Sequence, residues 1–88
     1  MAISAQDIER VLSATLQPLS LQVQDDSQLH AGHAGAREGR HFSVQVVSAQ
    51  FNGLSRLARH RLVYDALRSQ LQQGIHALAI DARAPADR

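Results

Sequence analysis

The chain has 88 residues, of which 44% are apolar, a formal net charge of +1, five histidines and no cysteine. This length fits one domain with a single modest core, and no apolar run approaches the roughly 18 residues of a membrane span. The absence of cysteine excludes disulfide bonds, and also thiolate ligation or thiol redox chemistry by this chain alone.

The first helix and the first strand are indicated by their patterns of apolar residues. Ser4 followed by Asp7 is an N-cap signature, and apolar residues at helical spacing come after it, so the pattern predicts a helix from about residue 5 to residue 16. Pro18 ends this helix. Residues 19–24 then alternate, with apolar side chains at the odd positions, which is typical of a half-buried strand.

A long loop is predicted between this strand and the next. Residues 26–40 hold three glycines and almost no large apolar side chain, so we expect a flexible segment, and loops of this length in compact domains usually carry function. The loop contains His30 and His33. Alternation resumes at Phe42 and predicts a second strand at about residues 41–48, antiparallel to the first.

The second half of the chain predicts a helical segment and a last strand. Helix-forming residues run from about residue 55 to residue 72, with an apolar stripe formed by Leu62, Val63, Ala66, Leu67 and Leu71. Ser55 is a candidate cap, and residues 55–59 are a candidate short turn separate from the main helix. Gly74 suits the position after the helix end, and residues 75–81 predict the last strand.

The predicted order is α-β-β-α-α-β, an α+β fold with helices on one face of a three-stranded sheet. Because the long helix joins the second and third strands as a crossover, we expect these strands to be parallel and their connection to be right-handed. We expect one domain with its core at about residues 5–82, followed by a disordered tail at residues 84–88.

The histidines are the residues that most favour a chemical role. Imidazole is the commonest protein ligand for borderline metals, and it titrates near neutral pH. The candidates are His30 and His33 in the loop and His76 at the head of the last strand. From the residues alone, a hydrogen-bonded strand residue is the commoner role for His76, and the loop pair is either solvated or a weak zinc or nickel site.

The basic residues are unevenly distributed. Residues 1–30 hold one arginine and four acidic residues, whereas residues 31–68 hold six arginines and two acidic residues. A basic region that could bind phosphates or a protein partner is formed by Arg56, Arg59, His60, Arg61 and Arg68. Only three aromatic residues are present, which leaves little for base stacking. No nucleophile elbow, phosphate loop or paired-carboxylate site is visible, so we do not expect an enzyme.

Several motifs in order resemble the BolA-like family over about residues 19–85. The motifs are Asp25-Asp26-Ser27, His41-Phe42, Phe51-Asn52-Gly53-Leu54, Arg59-His60-Arg61-Leu62-Val63-Tyr64 and Ile75-His76-Ala77-Leu78. The resemblance implies an α-β-β-α-α-β topology related to type II KH domains, which agrees with the predicted elements. The BolA-like family lacks the Gly-x-x-Gly loop that clamps the nucleic-acid backbone in true KH domains, and Phe51-Asn52-Gly53-Leu54 is no substitute for it.

The resemblance also implies a [2Fe–2S] cluster shared with a monothiol glutaredoxin. The glutaredoxin cysteine and glutathione would supply sulfur, and this chain would supply His76 and one loop histidine, with His30 preferred over His33 by motif alignment. His60, near the start of the long helix, is expected to be a structural or partner-facing residue. His41, on the strand face opposite Phe42, is expected to be a plain strand residue, and neither histidine is expected to be a ligand. Residues 1–5 show no secretory signal, so a cytoplasmic location is expected. The free protein is expected to be a monomer without metal.

Two functions follow from the resemblance. The first is iron–sulfur cluster trafficking or iron homeostasis with the glutaredoxin, in which Arg59, His60 and Arg61 help to form the docking face. The second is a DNA-binding, stress-response transcriptional regulator that uses the basic helix at residues 56–68. Substitution of His76 discriminates between them, because it should remove cluster binding and leave any DNA affinity unchanged.

Overall fold

The computed structural model describes residues 3–26 and 40–87. Its helices and strands, in chain order, are α1 (Ala5–Leu16), β1 (Ser20–Asp25), β2 (Arg40–Val47), α2 (Arg56–Ala66), α3 (Arg68–Gln72) and β3 (Ile75–Arg83), with a 3-10 turn at Ala49–Phe51. This order confirms the predicted α-β-β-α-α-β fold. Among the described residues, no helix is long and apolar enough to cross a membrane. The predicted flexible loop falls mostly at residues 27–39, outside the described residues.

Helix α1 begins and ends as its sequence predicts. The Ser4 hydroxyl accepts from the Asp7 amide, and the Asp7 carboxylate accepts from the Ser4 amide at 2.9 Å, so the two residues form a capping box. The Ser4 amide lowers the pKa of the Asp7 carboxyl, and so does the Ser4 hydroxyl, which donates to the same carboxylate at 3.0 Å. At the other end Gln17 takes a left-handed conformation, with φ of 46°, directly before Pro18. Both helix ends are therefore fixed by local chemistry.

The sheet is mixed and has the strand order β1-β2-β3. Strand β2 pairs antiparallel with β1 and parallel with β3, as predicted. The core lies on one face of the sheet, where alternate residues of β2 are buried with apolar residues of α1, of α2, of the junction between α2 and α3, and of the 3-10 turn: Phe42, Val44, Val46, Ile8, Leu12, Leu16, Val63, Leu67 and Phe51. The residues of β2 that alternate with these, which are mostly polar, are less buried and face away from this core.

Ser48 joins three parts of the fold. It is the fully buried polar residue at the end of β2, and its hydroxyl donates to the Leu16 carbonyl at 2.7 Å. The same hydroxyl accepts from the Gln50 amide at 3.1 Å, and the Ser48 amide donates to the Arg83 carbonyl at 3.0 Å. The end of α1, the 3-10 turn and the end of β3 are thus held together through one side chain and its backbone.

The helical segment divides at a different place from the one predicted. The prediction of a separate short turn at residues 55–59 is wrong, because the Ser55 hydroxyl accepts from the Ala58 amide and starts the long helix α2 directly. The division lies at Leu67, a fully buried residue between α2 and α3. Gly74 follows α3 with φ of 136°, as expected for a residue that ends a helix.

Two predictions about the strand and chain ends are also corrected. Leu19 precedes β1 and is 72% exposed, so it does not belong to the buried face. The expected disordered tail is instead a turn that follows β3. Ala84 is 3% exposed, and the Asp87 amide donates to its carbonyl at 3.0 Å. The sequence pattern did not reveal this turn because Arg59, the side chain that holds Asp87, lies 28 residues earlier.

Candidate functional site

His76 lies at the start of β3, and its side chain is exposed. The strand pairing explains why its backbone is displaced from the regular ladder. Arg40 pairs with Ile75, and the next residue of β2, His41, pairs with Ala77. His76 is therefore an extra residue of β3 that lies between two consecutive pairs. A bulge of this kind re-aims the side chain at the extra position. His76 is therefore presented at the end of the sheet.

The segment that contains His30 and His33 begins and ends close to His76. Strand β1 ends where β2 and β3 begin, so all three strands meet at one end of the sheet. The Asp26 amide donates to the His41 carbonyl at 2.7 Å, and the Arg40 amide donates to the Gly74 carbonyl at 3.0 Å. Both loop histidines lie outside the described residues, but both ends of their segment are anchored beside the start of β3.

Polar contacts fix the two residues that flank this segment. The Arg40 guanidinium forms an ion pair with Asp25 and lies 5.9 Å from the centre of the Phe42 ring. The Ser43 hydroxyl donates to the Asp26 carboxylate. The two described residues that flank the loop segment are therefore held at this end of the sheet.

His41 is the site residue that the sequence analysis missed. Its side chain is half-buried, and the centre of its ring lies 5.2 Å from that of His76, with the ring planes tilted by 57°. Alternation of apolar and polar residues placed His41 on the face opposite Phe42, but the contact depends on the parallel register and on the bulge. Neither feature leaves a local pattern in the sequence.

The described residues do not form a metal site by themselves. Across residues 3–26 and 40–87, no group of three or more histidine, cysteine, aspartate or glutamate side chains is close enough to hold a metal ion. The exposed imidazole of His76 can still offer one nitrogen ligand. A metal centre at this end of the sheet would require further ligands from the loop histidines or from another molecule.

Three of the five predicted basic residues line one groove, and two lie outside it. Arg56, Arg59 and His60 line a groove of about 620 Å³ whose opposite side is formed by β3. Arg59 lies deep in this groove, with 16% of its side chain exposed, and donates to the Leu54 carbonyl at 3.0 Å and to the Asp87 carboxylate. The ion pair lowers the pKa of the Asp87 carboxyl, and the Ala84 amide assists. Arg59 is thus occupied within the chain.

Of the two predicted basic residues outside the groove, one is paired with an acidic side chain. Arg61 is exposed outside the groove, and Arg68 pairs with Asp65 at 3.0 Å. On the β3 side of the groove, Arg83 pairs with Asp81, which raises the pKa of the guanidinium. Phosphate binding depends on uncompensated positive charge, so these ion pairs weaken the nucleic-acid interpretation of this helix. DNA binding by residues 56–68 stays a prediction.

Comparison with known sequences identifies a family. The family model of the BolA-like protein matches residues 12–87. The chain is 44% identical over 86 residues to SufE-like protein 1, chloroplastic/mitochondrial, of Arabidopsis thaliana, covering 91% of this chain and 23% of that protein. It is 42% identical over 80 residues to the chloroplastic protein BOLA1 of the same plant, covering 86% of this chain and 50% of that protein.

A mammalian relative gives a similar result. BolA-like protein 1 of Homo sapiens is 47% identical over 79 residues, which cover 90% of this chain and 56% of the human protein. The chain thus spans between about a quarter and somewhat more than half of these three relatives. Because two of them are named for the chloroplast or the mitochondrion, the expected cytoplasmic location also stays a prediction.

Solved structures share the fold over nearly the whole chain. The BolA domain of SufE1 from Arabidopsis thaliana is similar with a TM-score of 0.83 and 44% identity, covering 97% of this chain and 98% of that one. BolA1 from the same plant gives a TM-score of 0.84 and 39% identity, covering 100% and 98%. The sequence match, the strand order and the structural similarity agree, and the chain therefore belongs to the BolA-like family.

Proposed function

We propose that this chain is the BolA-like partner of a monothiol glutaredoxin, with which it shares a [2Fe–2S] cluster in iron–sulfur cluster trafficking or iron homeostasis. The observation that carries the proposal is the position of His76, an exposed imidazole at the end of the sheet where the segment containing two further histidines begins and ends. Membership of the BolA-like family supports it. A relative named as a SufE-like protein supports it as well.

The donor atoms of the chain fit this role. The chain has no cysteine, so sulfur ligands would come from the glutaredoxin cysteine and from glutathione. This chain would supply His76 and one loop histidine, His30 or His33. When bound, such a cluster supplies electron-transfer chemistry, and imidazole in place of thiolate raises its reduction potential. The free chain would be a monomer without metal and would act by binding, not by catalysis.

Different residues of the chain would present His76 and dock the glutaredoxin. Strand β2 is paired on both sides and holds the end of the sheet rigid, while the bulge in β3 presents His76. Docking of the glutaredoxin would use the exposed Arg56 and Arg61 together with the half-buried His60. Arg59 would support this surface indirectly, because its guanidinium is bound to Asp87.

Anaerobic reconstitution with a monothiol glutaredoxin and glutathione tests the proposal. Visible absorption and circular dichroism would be recorded for the wild type, His76→Ala, His30→Ala, His33→Ala and the control Gln45→Ala, which changes an exposed residue of β2 outside the proposed docking surface. We expect a spectrum specific to the complex that is lost in His76→Ala and in one of the two loop variants, and retained in Gln45→Ala. If no such spectrum forms, or if all variants behave alike, the proposal is wrong.

A second experiment separates this function from DNA binding. Arg61→Glu reverses an exposed charge on α2 without changing a described ion pair. A DNA-binding protein that used α2 would lose affinity and show a smaller salt dependence with this substitution, while His76→Ala would leave its affinity unchanged. If the chain shares a cluster, His76→Ala instead removes the spectrum of the complex with the glutaredoxin. Titration of a duplex at two salt concentrations, beside the reconstitution, distinguishes the two functions.

A further inference from the structure

The contact between His41 and His76 has a structural asymmetry. His41 belongs to the central strand β2, which pairs with a strand on each side, and its side chain is half-buried. Its carbonyl accepts from the Asp26 amide, which ties it to the end of β1. His76 is exposed and lies at the bulge at the start of β3. One ring is therefore held by the sheet, and the other ring lies against it.

The geometry of the two rings is that of a favourable aromatic contact. Their centres are 5.2 Å apart and their planes are tilted by 57°. Aromatic rings prefer such offset or tilted arrangements at separations of about 4.5 to 7 Å. An exposed imidazole without a neighbouring ring would sample several staggered rotamers. A half-buried ring at this distance restricts which of these rotamers His76 can adopt.

We propose that His41 is a positioning residue for His76, and that it holds the His76 imidazole in the one rotamer from which the imidazole can bind the cluster. The ring contact itself does not depend on the proposed function, whereas its consequence for cluster binding rests on that function. A ligating imidazole needs a fixed orientation, and loss of a supporting residue typically weakens metal sites by about 10- to 100-fold. His41 supplies this support through the shape of its ring and not through a nitrogen atom.

The proposal differs in a testable way from direct ligation by His41. A ligand must offer a nitrogen lone pair, whereas a positioning ring needs only its size and planarity. His41→Phe keeps a ring at this position and removes both nitrogens, while His41→Ala removes the ring. Gln45→Ala is a matched control, since Gln45 lies on the same strand as His41 but is exposed and pairs with Asp81, away from His76. Thermal unfolding of each variant checks that the fold is kept.

The first measurement uses the chain without any cluster. Nuclear magnetic resonance gives the χ1 rotamer of His76 from the three-bond couplings to its β protons, and the position of the His41 ring from ring-current shifts. We expect one dominant rotamer in the wild type, Gln45→Ala and His41→Phe, and averaged couplings in His41→Ala. If the couplings of His76 are the same in His41→Ala as in the wild type, His41 does not position it and the proposal is wrong.

The second measurement uses the complex with the glutaredoxin and glutathione. We expect His41→Ala to weaken cluster retention by about tenfold or more and His41→Phe to stay within about twofold of the wild type. If His41→Phe loses the cluster as fully as His41→Ala while its His76 rotamer remains fixed, His41 is a ligand and the positioning role is refuted. If the wild type forms no cluster, the proposed function fails, and the rotamer measurement alone decides the role of His41.

Discussion

Arg59 of α2 and Asp87 of the C-terminal turn form an ion pair that fastens the end of the described chain to the helix. The same guanidinium donates to the Leu54 carbonyl at 3.0 Å, and the Asp87 carboxylate also accepts from the Ala84 amide at 3.1 Å. Ala84, at the head of this turn, is buried in the core. One side chain of α2 therefore joins the segment before the helix to the turn that follows the last strand.

This ion pair makes stability depend on pH in a defined direction. The folded state lowers the pKa of the Asp87 carboxyl, first through Arg59 and then through the Ala84 amide. The stabilisation is therefore complete above the pKa of the unfolded state, and it is lost as the pH falls through the folded value. Asp87→Asn should lower the midpoint of urea unfolding at neutral pH, and this difference should shrink as the pH falls below the ordinary range of a carboxyl pKa.

Asp65→Asn is the control for this prediction. Asp65 also pairs with an arginine, Arg68, but both side chains are mostly exposed, at 66% and 73%. Exposed pairs of this kind contribute about 0 to 1 kcal/mol. A pH-independent effect of Asp87→Asn, or an equal effect of Asp65→Asn, would show that the pairing with Arg59 does not stabilise the turn.

The capping box at the start of α1 predicts a measurable loss when it is broken. Ser4→Ala removes the hydroxyl that accepts from the Asp7 amide and should destabilise the protein by about 1 kcal/mol. Ser13→Ala changes an exposed serine within the same helix and should be neutral or slightly stabilising, because alanine has the higher helix propensity. Equal unfolding free energies for the two variants in urea titrations would contradict the capping role.

Phe51 should be essential to the core although it lies outside every helix and strand. The 3-10 turn directs its side chain inward, and its exposed fraction is 0%. Phe51→Ala should cost about 3 to 5 kcal/mol through lost burial and a residual cavity. Leu57→Ala, at a position that is 63% exposed, should change stability by no more than about 0.5 kcal/mol. Comparison of the two unfolding midpoints tests this difference.

The two glycines with positive φ should respond differently to substitution. Gly53 has φ of 75°, close to the left-handed region that asparagine tolerates, whereas Gly74 has φ of 136°, which side chains rarely adopt. An added Cβ meets nothing within 4 Å at either position, so crowding does not contribute. Gly53→Asn should be nearly neutral, and Gly74→Asn should cost about 1 to 3 kcal/mol in thermal or chemical unfolding. Similar losses at both positions would falsify this backbone explanation.

The features predicted from the sequence are those with a local physical cause. The capping box of Ser4, the break before Pro18 and the alternation through Phe42 each depend on neighbours a few residues away. The boundary at Leu67 and the ordered turn at Ala84 were missed because they depend on burial and on partners far along the chain. Long-range packing overrides local propensity at these positions.

In the candidate site too, a feature with a local sequence signal was predicted and a long-range contact was not. His76 was identified from a motif, and the structure places it at the expected strand start. The neighbour that we assign to it, His41, was dismissed because strand alternation reports which face a residue occupies and not which residue lies beside it. That second relationship follows from the parallel register of β2 and β3 and from the bulge between them.

Ser48 offers a reporter for the cooperativity of this small domain. Its amide lies at a point where the end of α1, the 3-10 turn and the end of β3 converge, and its side chain is fully buried. The amide donates to the Arg83 carbonyl at the end of β3, while the hydroxyl of the same residue holds the end of α1 and the 3-10 turn. If the three ends open only together, hydrogen exchange of this amide should proceed through global unfolding and give the stability of the whole domain, whereas exchange faster than that of core amides would show that the end of β3 opens alone.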